Sequence, residues 1–304
     1  MMMMLKTRRP RGDRKAISPD TTSATAEQAG HSTGESAPGS APAAIEAAGI
    51  VHKLEARGQY VDILDDINLK VENKEFVAVV GPSGCGKTMF LNMVAGLEPL
   101  SYGSLSVLGR QAVAGAGDVA YCFARDALLP WRVAGENVAL ALQLRGVPPE
   151  ERRTRALEIL EAVGLGDAYD RYRAELSQGM RQRVALARTF VTRPRLLLLD
   201  EPFAALDAQT RQSMQELLLR LVRLTECTVL LVTHDLNEAI TLADRVVVFS
   251  KRPAHIKKEI RIEFDAQQRA NVAALHESKA FADYHHVLWG EVATELLSDE
   301  VGTQ

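Results

Sequence analysis

Apolar and polar positions change their rhythm along this 304-residue chain, and the changes mark its elements. Residues 1–44 hold almost no large apolar side chain after Leu5, and material able to fold begins near Ile45. Val61–Val71 alternates apolar with polar and predicts a strand. Asn73-Lys74 predicts a turn, and the unbroken run Phe76–Val80 a strand buried on both faces. A glycine-rich loop follows. Phe90, Leu91, Val94 and Leu97 then recur at helical spacing, with Gly96 near the end. From about 134 to 191 the spacing is mostly helical. Ala156, Leu157, Ile159, Leu160 and Val163 share one face, and Gly164 suits a C-cap. Leu196–Leu199 is a second buried strand, and Met214, Leu217, Leu218, Leu221 and Leu224 mark a further helix. Thr228–Thr233 and Arg245–Phe249 are two further strands, and residues 265–304 predict amphipathic helix.

Strands alternating with helices imply an α/β fold with a mainly parallel core sheet. The helical stretch between the first and second buried strands implies an inserted helical lobe. No internal repeat is visible. The expected organisation is a disordered tail over 1–44, one domain over 45–255, and a C-terminal helical extension over 256–304.

Composition narrows the function classes. The chain has 36 Lys plus Arg against 39 Asp plus Glu, a net charge of −3, which gives no bulk attraction to nucleic acid. No apolar run approaches the length of a membrane-spanning helix. Three separated cysteines, Cys85, Cys122 and Cys227, form neither a disulfide framework nor a zinc pattern and suit a reducing compartment. Residues 1–44 are too poor in large apolar groups to offset chain entropy. Their basic cluster, Lys6 to Lys15, suits a targeting peptide, a tail touching anionic lipid or a dispensable disordered tail, and composition favours the last.

Three motifs carry chemistry. Gly81-Pro82-Ser83-Gly84-Cys85-Gly86-Lys87-Thr88 fits the pattern G-x-x-x-x-G-K-[ST] between a buried strand and a helix. Its glycines let backbone N–H groups turn inward onto phosphate oxygens, and the following helix aims its positive end there. Lys87 would neutralise the β- and γ-phosphates, and Thr88 would hold Mg²⁺ through its hydroxyl. The strand Leu196–Leu199 ends in Asp200-Glu201, where sheets of this class bind ligands. Asp200 would hold Mg²⁺ through water, and Glu201 would orient and polarise an attacking water. In Leu176-Ser177-Gln178-Gly179-Met180-Arg181-Gln182-Arg183, Ser177 reads as an N-cap with Gly179 leaving the backbone open, another anion site.

The order of these motifs, closed by Thr233-His234-Asp235, resembles the nucleotide-binding subunit of ABC transporters, a P-loop NTPase fold with N-terminal antiparallel strands, over residues 45 to about 255. Leu128-Leu129-Pro130-Trp131, Asp200-Glu201-Pro202-Phe203, Ala205-Leu206-Asp207 and Arg252-Pro253-Ala254-His255-Ile256 look like the bacterial importer branch serving nitrate, sulfonates and taurine. The resemblance implies a head-to-tail dimer holding two ATP molecules. Each ATP would touch the phosphate loop of one subunit and Ser177 and Gly179 of the other. His234 would contact the γ-phosphate, and Asp207 would cross the interface. Implied partners are ATP, Mg²⁺, transmembrane permease subunits, a solute-binding protein and a second ABC subunit, identical or not. The implied location is the cytoplasmic face of the inner membrane. No second phosphate loop and no coiled-coil run is present, which sets aside the ABC ATPases that act on DNA or ribosomes.

The sequence departs from this family at several points. The family's usual Gln before the helical lobe falls on Ala124, whose methyl cannot reach a metal or water. An adenine-stacking aromatic is expected near residue 55, where the chain reads Lys53-Leu54-Glu55-Ala56, and Tyr60 is the nearest candidate. Gln178 and Lys74 each replace a usual glycine, and Lys74 implies a different turn type. Ala124 and the missing aromatic keep a second reading open, a catalytically weak regulatory subunit of a heterodimer. Arg181, Arg183, Arg188, Arg193 and Arg195 read as a solvated face, and His276, His285 and His286 likewise. Cys85 is expected to be partly exposed.

Overall fold

The structure, a computed structural model, describes residues 42–56, 58–123 and 126–297. Most of the expected tail, and Ala124, lie outside them. Residues 42–44 belong to the fold: Ala43 and Ala44 are buried, and Ala44 N–H donates to the Val71 carbonyl.

A six-stranded sheet forms the centre, in the order β10-β9-β3-β8-β7-β6. Its strands are β3 (Phe76–Val80), β6 (Val119–Cys122), β7 (Leu196–Asp200), β8 (Thr228–Val232), β9 (Arg245–Phe249) and β10 (Ile256–Arg261). All pairs are parallel except β9–β10. The apolar runs are unbroken because both faces are covered. Ala78, Val80, Leu197, Leu199, Leu231 and Val248 pack against the helices α2 (Ala134–Leu144), α3 (Pro149–Ala162), α4 (Gln178–Phe190), α5 (Ala208–Thr225) and α6 (Leu236–Leu242). Val77, Val79, Leu196, Leu198, Leu230 and Phe249 point the other way. There they meet α1 (Lys87–Val94) and a second, antiparallel sheet.

That second sheet has the order β2-β1-β4-β5, from β1 (Ile45–Ala56), β2 (Gln59–Val71), β4 (Tyr102–Val107) and β5 (Arg110–Gln111). Lys74, in the turn after β2, sits at φ 65°, the left-handed backbone a glycine would supply, so the expected change of turn type is not found. Its N–H donates to Thr228 Oγ1 (2.8 Å) and its ammonium pairs with Glu226 (2.8 Å).

Residues 256–261, expected as helix, are instead β10, an antiparallel edge strand of the core sheet. Its Ile-Lys-Lys-Glu-Ile-Arg sequence carries charge on an edge, where charge blocks further pairing. Helix begins later, at α7 (Val272–His276) and α8 (Lys279–Leu297). Lys257 and Lys258 of β10 pair with Glu291 and Glu295 of α8 at 2.7–3.5 Å.

Arg269 closes the C-terminal side of α6 from this extension. Its buried guanidinium donates to the carbonyls of Leu242 (2.6 Å), Ala243 (2.7 Å) and Phe264 (3.1 Å) and faces Asp244 at 3.4 Å. Helix-end carbonyls have no partner within their helix, and this side chain supplies one. Arg269→Met strands these carbonyls and is expected to lower stability by about 2–4 kcal/mol, read as a lower urea midpoint.

Candidate functional site

The phosphate-loop motif lies between β3 and α1, at the carboxyl end of the sheet's central strands. Gly81, Gly84 and Gly86 have φ of 154°, 75° and 123°. A Cβ on Gly81 would stand 2.6 Å from the Phe249 carbonyl oxygen, and one on Gly86 would stand 2.7 Å from Leu64 Cδ2, so both positions require glycine. The Lys87 side chain is buried, and its ammonium donates to the carbonyls of Gly81 and Pro82, both at 2.9 Å. Ser83 and Thr88 face solvent, whereas Cys85 is buried beneath the loop. The exposure expected for Cys85 is therefore not found, and burial pushes its thiol pKa up.

The next two strands bring the acidic and basic groups. Asp200 ends β7 opposite Val232 of β8, which adjoins β3. Thr88 Oγ1 donates to Asp200 Oδ1 at 2.9 Å, joining the loop to the second motif. Burial raises the Asp200 carboxyl pKa, although Thr88 and Tyr121 donate to it. Glu201 takes a left-handed backbone, φ 46°, pinned by its N–H to the Val232 carbonyl (2.9 Å). Strained backbone of this kind persists where neighbours over-determine it. His234 Nδ1 lies 3.3 Å from Glu201 Oε1, so the two residues form a pair at the mouth of the site.

The loop carrying His234 is braced from below. Thr233 Oγ1 donates to Glu238 Oε2 (2.8 Å) and accepts from Asp235 N–H (3.0 Å), while Asp235 caps α6. Arg211 of α5 bonds Asp235 at 3.2 Å and stands 3.8 Å from Glu238. The sequence reading passed over Glu238. Its signal was a carboxylate in the first turn of a helix that begins straight after Thr-His-Asp.

Ser177 caps α4 through Met180 N–H (3.3 Å), and Asp207 caps α5 through Thr210 N–H (2.9 Å). Both are exposed, and a Cβ on Gly179 would stand 3.1 Å from Thr210 Cγ2. Among the described residues neither Ser177 nor Gly179 bonds the phosphate loop of its own chain. Tyr60 is 73% exposed and lies directly across β1–β2 from Glu55. Opposite residues of an antiparallel pair share a face, so Tyr60 occupies the face on which residue 55 was expected to carry an aromatic. It stands about 10 Å along β2 from Ile63, which borders Gly86.

The arginines of α4 are not a solvated face. Arg188 donates to the carbonyls of Ala127 (2.9 Å) and Asp126 (3.0 Å). Arg181 (3.4 Å) and Arg173 (3.1 Å) reach the Asp126 carboxylate. Burial works against ionisation of Asp126, yet the Arg173 bond and its neighbours hold its pKa below the usual value.

Comparison with known proteins agrees with this geometry. Residues 64–204 match the ABC transporter family. The chain is 46% identical over 227 residues to the taurine import ATP-binding protein TauB of Mesorhizobium japonicum, spanning 74% of this chain and 88% of that protein. It is 45% identical over 201 residues to TauB of Escherichia coli strain K12, spanning 66% and 79%. A solved dimeric ATP-binding cassette, in a post-hydrolysis state bound to ADP and Pi, superposes with a TM-score of 0.65 at 28% identity, covering 73% of this chain and all of that one.

Glu238 gives the braced loop a pH signature. Burial raises its carboxyl pKa from the ordinary 4.5 to about 7. Between those values the folded chain holds a proton that the unfolded chain has lost, so stability falls as pH rises through this window and is level above it. The fall amounts to about 3 kcal/mol. Glu238→Gln is expected to flatten this slope, leaving the variant more stable than wild type at pH 8 in paired urea titrations.

Proposed function

Because this chain belongs to the family of ABC transporter ATP-binding subunits, we propose that it is the ATP-hydrolysing motor of an importer for taurine or a similar small sulfonate or oxyanion. The observation that carries this reading is the convergence of four groups at the ends of three adjacent strands. The Gly81–Thr88 loop, Asp200, Glu201 and His234 all meet there.

In this reading the backbone of Gly81, Pro82, Ser83, Gly84, Cys85 and Gly86 wraps the phosphates of ATP. Lys87 exchanges its two carbonyl partners for phosphate oxygens, which needs only rotation of an ammonium already at the loop's centre. Thr88 and Asp200, an alcohol and a carboxylate 2.9 Å apart, make a hard oxygen donor set that fits Mg²⁺. The metal would supply charge neutralisation between the β- and γ-phosphates. Glu201 orients the attacking water and accepts its proton. His234 holds the γ-phosphate and, through the pair with Glu201, fixes the carboxylate's direction. Tyr60 offers its exposed ring to adenine.

Ser177 and Gly179 serve the ATP of a second cassette, and Asp207 crosses between the two. The exposure of Ser177 and Asp207, the lack among the described residues of a hydrogen bond from Ser177 or Gly179 to the chain's own phosphate loop, and the dimeric form of the structural relative support this. Further partners are permease subunits and a solute-binding protein, with this chain peripheral at the cytoplasmic face of the membrane. No helix among the described residues is long and apolar enough to cross it. The intact Glu201–His234 pair favours an active motor over a regulatory subunit.

The test is Mg²⁺-dependent ATP hydrolysis by the purified chain. Slow turnover is expected, reduced about 10²–10⁴-fold in Glu201→Gln with ATP still bound. Lys87→Ala is expected to lose nucleotide binding itself. Binding without turnover in wild type would shift the reading to a subunit that needs a different cassette as partner.

A further inference from the structure

β6 brings one more group to Asp200 that none of the motifs contains. Tyr121 pairs in register with Leu198 of β7, so its side chain emerges beside the end of that strand. Its hydroxyl lies 3.3 Å from Asp200 Oδ2 and 3.0 Å from Asn92 Oδ1 of α1, so its one proton is shared between the two acceptors, and the charged one competes for it. Asp200 Oδ1 is taken by Thr88. The two oxygens of this carboxylate are thus held from opposite sides, by an alcohol on α1 and a phenol on the edge strand. The Tyr121 ring is half-buried and packs on Phe123, with centroids 4.4 Å apart, which restricts the swing of its hydroxyl.

We propose that Tyr121 is the positioning residue for the metal-holding carboxylate: its hydroxyl fixes the plane of Asp200 so that Asp200 and Thr88 present their oxygens to Mg²⁺ together. The inference rests on the reading of Thr88 and Asp200 as the metal-holding pair. Asp200 is half-buried, so each donor on it counts for more than it would in open water. Among the described residues, Tyr121 is the single donor on Oδ2. Residue 124 is alanine and has no polar group to offer, so the segment leaving β6 brings its donor at position 121. Partners that orient a metal-ligating carboxylate change metal affinity although they never touch the metal.

A competing role is a purely structural tie between β6 and Asn92. The two separate in a Mg²⁺ titration of trinitrophenyl-ATP binding, followed by fluorescence, on the full chain. Tyr121→Phe keeps the ring and removes the hydroxyl. It is expected to bind the nucleotide as wild type does in EDTA and to need on the order of tenfold more Mg²⁺ at the midpoint. Asn92→Ala, which removes the other acceptor, is expected to leave the midpoint where it is. Mn²⁺ binding followed by electron paramagnetic resonance should show the same shift for Tyr121→Phe without any turnover. If Tyr121→Phe does not fold, Tyr121→Met removes the same donor and carries the same expectation. A midpoint for the Tyr121 variant that matches wild type overturns the proposal. So does an equal shift in Asn92→Ala, which would locate the effect in the tie. A wild-type chain that binds nucleotide with no dependence on Mg²⁺ would instead overturn the metal-holding role of Thr88 and Asp200.

Discussion

At Gly81 and Gly86 there is no room for a methyl group. The Phe249 carbonyl closes on the first position, and Leu64 with Ile63 closes on the second. These neighbours come from different sheets, β9 of the parallel core and β2 of the antiparallel one. The phosphate loop is therefore shaped by a vice whose jaws are the two sheets, and its left-handed backbone is what fits between them. The cradle, the direction of α1 and the reach of Lys87 and Thr88 follow from that close approach.

The polar groups are organised around the same narrow space. Lys87 is stored on the loop's own carbonyls, Thr88 on Asp200, and Glu201 on His234. Each charged or reactive group has a partner that a ligand can replace, so none is left desolvated and unpaired without it. Below them the Thr233–Glu238 bond and the Arg211–Asp235 pair hold the histidine loop on α5 and α6. The chemistry is set at the ends of strands and helices.

Much of this was legible in the chain. Phe76–Val80 and Leu196–Leu199 read as strands covered on both faces because nothing polar interrupts them, and two of the three motifs fall where these strands end. Other features were hidden by their physical character. β10 is an edge strand rich in Lys and Glu, so its pattern lacks the apolar run that betrayed its neighbours. The arginines of α4 looked like solvent-facing charge because their partners, Asp126 and the carbonyls of 126 and 127, lie some fifty to sixty residues away in sequence. Tyr60 could be named as the nearest aromatic, but its place opposite Glu55 is a matter of register that spacing does not fix. Tyr121 lies in β6, a four-residue strand that the apolar pattern does not announce, and its place beside Asp200 shows only when β6 is laid against β7.

The arginine clamp has a mechanical meaning. α4 is a helix of 13 residues, about 20 Å long. At its start stands the exposed Ser177, and along its length Arg181 and Arg188 grip residues 126 and 127 after β6. In the proposed head-to-tail dimer, a rod anchored this way would act as a rocker arm. Displacement of the segment after β6 would tilt the hydroxyl assigned to the opposite nucleotide. The two arms of such a pair would cross, gearing occupancy of one site to the closure of the other.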